Sequence, residues 1–198
     1  MTDIRNRAWL WGGIALIASA VAEFALPPSL RASSLIGALL IAAGLVLFSF
    51  GGGIRRNIFG GHVLGAVAAV LLAALLVATN IVNLLPDSGG PAWNQEWVAS
   101  VVGFARLALS AIVVVQVGRS AELSSTWRWA PLWAVLAQEF SWVVFQFGLI
   151  NAGNTVNGPG LWVTSFFAIV AAAVPIFIGV LAIIVAVTGL SSSRPASA

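Results

Sequence analysis

Residues 62–91 read HVLGAVAAVLLAALLVATNIVNLLPDSGGP. From His62 to Leu85 no side chain carries a formal charge, and the run stops at Pro86-Asp87-Ser88-Gly89-Gly90-Pro91, a cluster of turn formers. Each helical residue adds about 1.5 Å, so about 20 apolar residues cross the ~30 Å hydrocarbon core of a bilayer. This run is long enough, and a helix is the form that satisfies its backbone groups in lipid.

Five further runs share that character: 8–26, 34–50, 97–117, 131–150 and 161–190. Pro27-Pro28 stops the first and Gly51-Gly52-Gly53 the second. Pro131 suits the first turn of the fifth, where its missing N–H is not needed. The loop 151–160, NAGNTVNGPG, separates the fifth from the sixth, which carries Pro175 near its middle. The expected fold is all-α, a polytopic membrane bundle of six transmembrane helices. Residues 1–198 are expected to form one transmembrane domain, with no soluble domain.

Composition agrees. Hydrophobic residues make up 60% of the chain and charged ones 8%, where a soluble domain carries about a quarter. Mean hydropathy is +1.03. Six acids and nine bases are too few to cover a water-facing surface, so the lipid bilayer is the expected partner of the outer face. Cysteine is absent, which removes disulfides, thiolate metal sites and cysteine nucleophiles.

All nine bases are arginine, and their positions give an orientation. Arg5, Arg7, Arg55, Arg56, Arg119, Arg128 and Arg194 fall on one side of the six spans. Arg31 falls on the other, with Asp87 and Glu96. The positive-inside rule then places both termini in the cytoplasm. A multi-pass protein of a bacterial inner membrane fits this pattern. The net charge of +3 reads as topology, and no nucleic-acid partner is expected. Tryptophans at run ends (Trp9, Trp11, Trp93, Trp97, Trp127, Trp129 and Trp162) suit belts at the two headgroup regions.

Small residues at four-residue spacing let helix backbones approach in lipid. Gly61, Gly65, Ala69 and Ala73 form such a ridge, and Ala38 with Ala42 and Ala15 with Ser19 repeat it.

Ionisable residues inside the spans cost about 2.5–3.5 kcal/mol each on insertion scales, so they are the candidate functional groups. Arg106 lies ten residues into the fourth run and Glu139 nine into the fifth. Two consecutive antiparallel helices place these at matching depth, where they could pair directly, although the sequence alone does not decide whether they do. Glu23 lies near the outer end of the first run. Glu139, Trp142 and Gln146 share a helix face, with Gln138 beside them. Asn80 and Asn83 share another. The expected solute site therefore comprises Arg106, Glu139, Gln138, Trp142, Gln146, Glu23, Asn80 and Asn83.

No nucleophile–base motif, P-loop or zinc-ligand spacing occurs, so no catalytic residue, metal or cofactor is assigned. His62 is the one histidine, which leaves no bis-His haem site. Gly51-Gly52-Gly53-Ile54-Arg55-Arg56-Asn57 resembles an element of bacterial trimeric intracellular cation channels, Gly-Gly-Gly-x-x-Arg-Asp. Asn57 replaces the aspartate, no second copy occurs, and no family is assigned. Two functions stay open. One is a small transporter or channel that binds a solute or ion near the buried Arg and Glu. The other is a non-catalytic accessory subunit of a larger membrane complex, or a homo-oligomer.

Overall fold

The computed structural model describes residues 2–26, 33–50, 59, 62–84, 92–119, 129–151 and 159–188. Six helices account for nearly all of them: α1 (Thr2–Ala25), α2 (Ser33–Phe50), α3 (Val63–Leu84), α4 (Ala92–Arg119), α5 (Ala130–Asn151) and α6 (Pro159–Thr188). The chain is an all-α membrane bundle, and α2, α3, α4 and α6 each hold a run long and apolar enough to cross a bilayer. Two helices extend well past their apolar runs. α1 starts six residues before Ala8 and takes in Asp3, Arg5 and Arg7; α4 starts at Ala92. Backbone hydrogen bonding does not require apolar side chains, so a helix continues beyond the part that sits in lipid. Pro159 occupies the first position of α6 and Pro131 the second of α5, both within the first turn. Pro175 lies inside α6, which runs through it.

The helices pack as a ring. Each touches its neighbours in the chain, and α6 closes back on α1; among the described residues no other pair of helices meets. The α1–α6 contact is the most extensive and α4–α5 the least. In lipid the hydrophobic effect does not distinguish helix from tail, so close packing must hold these seams together. Glycine supplies it on α1. A Cβ on Gly13 would lie 2.6 Å from the Gly179 carbonyl oxygen on α6. A Cβ on Gly44 of α2 would lie 3.2 Å from the Gly12 carbonyl oxygen. Adjacent glycines on α1 thus admit a neighbour on each side.

The expected ridge on α3 is present: Gly65, Ala69 and Ala73 are buried. Gly61 lies outside the described residues. Ala38 of α2 and Ser19 of α1 are buried, whereas Ala15 and Ala42 are only half-buried. The buried hydroxyls need no partner helix. Ser19 Oγ donates to the Leu16 carbonyl at 2.7 Å, Ser49 to Leu45 at 2.8 Å and Ser141 to Gln138 at 2.7 Å.

One end of the ring is filled. Phe59, from the segment between α2 and α3, is 1% exposed. It belongs to a cluster with Trp9 of α1, Ala66 and Ala69 of α3, Val117 of α4, and Leu181, Ala182, Val185 and Ala186 of α6. Phe48 of α2, Val113 of α4 and Ala130 of α5 pack against it, so all six helices converge there. This end, where α1 begins and α6 finishes, is termed the terminal end. The outside of the ring is apolar: Phe104 is 75% exposed and Trp133 70%. Such a surface belongs in lipid.

Trp9 departs from the expected headgroup belt. It is 6% exposed and stacks at a tilt on Phe48, ring centroids 5.5 Å apart. Filling the axis outweighs the interfacial preference of its ring. Trp11 and Trp129 are exposed, as a belt requires; the side chains of Trp93, Trp97, Trp127 and Trp162 lie outside the described ones.

Candidate functional site

Buried positions on α1 trace one stripe: Trp9, Leu16 and Ala20, spaced i, i+7 and i+11. Glu23 is the next residue on that stripe. On α4, Val113 and Val117 join the terminal cluster, and Arg106 lies seven residues before Val113 on the same face. Both charges therefore follow the sides of their helices that turn towards the interior of the ring. α1 and α4 are three steps apart in a ring of six, which makes them opposite.

The two charges also agree in height. At about 1.5 Å per residue, Glu23 stands about 21 Å above Trp9, and Arg106 about 16 Å above Val117. Arg106 lies within electrostatic reach of Glu23. The Glu23 side chain rests on the backbone of α2: a Cβ on Gly37 would be 3.5 Å from its Cγ and Oε1.

Both Glu23 and Arg106 are exposed, although the stripes below them are buried. Gly103, one turn before Arg106, has nothing within 4 Å of where its Cβ would be. The two stripes are thus packed at the terminal end and exposed where the charges stand.

Among the described residues no ion pair joins Arg106 and Glu139. Ala134 and Ser141, at i and i+7, mark the packed stripe of α5. Glu139, two residues before Ser141, sits on the other side of the helix and is half-buried. Gln138 is also half-buried, and its carbonyl accepts the Ser141 hydroxyl. Asn80 turns back on its own helix, its Nδ2 donating to the Leu76 carbonyl at 2.9 Å. Thr79 does likewise, to Leu75 at 2.7 Å. The side chains of Asn83, Trp142 and Gln146 lie outside the described ones.

Phe59 and the glycines of α1 and α6 were not among the expected site and packing residues. Phe59 has a sequence signal: it is a large apolar residue inside a Gly- and Arg-rich connection, RRNIFGGH. Gly65 makes its socket, since a Cβ there would lie 2.6 Å from the Phe59 ring. A second concavity, about 340 Å³, runs between α2 and α3 and is lined by Ser49, Phe50, Val63, Ala66, Val67 and Val70 among others. With the Ser49 hydroxyl engaged by Leu45, its wall offers no polar handle. Among the described residues no group of three His, Asp or Glu side chains is placed to hold a metal. Neither a protein-family model, nor a curated protein, nor a solved structure matches the chain.

Proposed function

We propose that this protein is a small transporter or channel that binds a solute or ion inside the ring, between Glu23 and Arg106. One observation supports the reading: two opposite charges stand exposed on facing helices, each on the stripe that is packed shut at the terminal end. Charges on a bundle interior need a physical reason, because each is costly in a membrane and no ion pair to Glu139 compensates Arg106. An open crevice supplies water for the empty state and a polar solute for the filled one.

Phe59 would be the barrier. Buried where the helices converge, it fills the end of the ring that a solute has to pass. The arginine bias supports placing the terminal end in the cytoplasm and the charged crevice towards the outer side of a bacterial inner membrane. In proteoliposomes, solute flux is expected to fall at least tenfold in Glu23→Gln and Arg106→Gln, with Glu139→Gln close to wild type. Loss of flux only in Glu139→Gln would remove the reading.

A second reading has its own observation. The α4–α5 seam is the least extensive of the ring, and the α4 face bearing Phe104 is highly exposed. An accessory subunit would seat a partner helix there. A mild-detergent pull-down separates the two: a stoichiometric membrane partner lost in Phe104→Ala supports the second, and recovery alone or as a homo-oligomer supports the first.

A further inference from the structure

We infer that the solute is a small zwitterion, with its acidic group on Arg106 and its cationic group on Glu23. The inference rests on the reading of the ring interior as a solute site. It starts from the charge balance of that interior. Among the described side chains, the inward stripes present one guanidinium and one carboxylate from opposite helices, α4 and α1, and these helices do not touch. Below them the walls are apolar: Leu16 and Ala20 on α1, Val113 and Val117 on α4, then the Phe59 cluster.

A simple anion drawn to Arg106 meets the field of Glu23. A simple cation that settles on Glu23 meets the field of Arg106. A molecule that carries both charges a few ångströms apart satisfies each group with its opposite and brings no net charge into the membrane. Arg106 presents a planar fork, which matches a carboxylate through two parallel N–H···O bonds. Glu23, held against the Gly37 backbone, accepts from an ammonium or lies beside a quaternary amine. Any apolar substituent then meets the Leu16 and Val113 walls. An α-amino acid or a betaine has this chemistry.

The test is a thermal-shift and equilibrium-binding screen of the purified protein in detergent. The probes are the common amino acids, glycine betaine, and, for each binder, its decarboxylated amine and its deaminated acid. A zwitterion is expected to bind, and each single-charge analogue to bind at least tenfold more weakly. Arg106→Gln is expected to erase the preference over the amine, and Glu23→Gln the preference over the acid. Should either variant fail to fold, the analogue series on the wild-type protein decides alone. A single-charge solute that binds as tightly as any zwitterion, and needs both charges, overturns the zwitterion and leaves the solute site standing. No binding by any probe, together with equal melting of the wild type and a Glu23→Gln/Arg106→Gln double variant, overturns both.

Discussion

Gly13 of α1 and Gly179 of α6 meet backbone to backbone: a Cβ added to either would lie 2.6 Å from the carbonyl oxygen of the other. Real Cβ atoms do not approach a carbonyl that closely, and neither backbone can swing aside as a side chain would. The contact sits in the most extensive seam of the ring. Gly13→Ala and Gly179→Ala are each expected to cost about 1–3 kcal/mol as overpacking substitutions, read as a lower melting temperature in detergent. Gly103→Ala is the control. Its site is open, so the better helix propensity of alanine is expected to leave stability unchanged or raise it by up to about 1 kcal/mol.

Phe59 should behave as both core and barrier. Its removal empties the point on which all six helices converge, and Phe59→Ala is expected to destabilise by about 3–5 kcal/mol. A leak of small ions in proteoliposomes should accompany it. Phe59→Leu restores much of the volume and should restore the seal. Destabilisation without a leak would make Phe59 a packing residue only.

Glu23 and Arg106 should prove coupled, and Glu139 and Arg106 not. In a double-mutant cycle of neutral variants, the first pair is expected to deviate from additivity by at least about 0.5 kcal/mol, and the second to add within error. Coupling confined to Arg106 and Glu139 would mean that α5, not α1, faces the guanidinium.

The lack of cysteine makes accessibility simple to map. Single cysteines at Glu23 and Gly103 are expected to react with charged, membrane-impermeant thiol reagents added from the outer side of cells. One at Ala69, fully buried against Phe59, is expected to stay protected until denaturation. His62→Cys, exposed at the start of α3, should react only from the cytoplasmic side. Labelling in the opposite sense would invert the orientation drawn from the arginines.

The spans were legible because length and apolarity are properties of the chain alone, as residues 62–85 illustrate. The rotation of each helix was not. Arg106 and Glu139 are on consecutive helices, but in a ring consecutive helices meet by their flanks. A residue on an inward stripe looks across to the opposite helix, here α1, and only the burial of Val113, Val117, Leu16 and Ala20 reveals that stripe. The four-residue spacing on α3 gave its ridge. The adjacent pair Gly12-Gly13 and the single Gly179 carry no such period, so the tightest seam left no pattern. Trp9 misled for a similar reason: an interfacial position and an inward one differ by rotation, not by place in the run.

The ring also has a consequence for how the protein is made. Each of the first five seams joins helices consecutive in the chain, so each forms once a hairpin has entered the membrane. The sixth joins the first helix to the last, which carries the largest loop-closure entropy of any seam. The Gly13 face of α1 therefore waits, unpartnered, through synthesis of the four helices between. Until α6 arrives it is an open template for the wrong neighbour, including another copy of the same unfinished chain. Assembly errors should accordingly be exchanges of the last helix between molecules, and a slowly inserted α6 should raise their number.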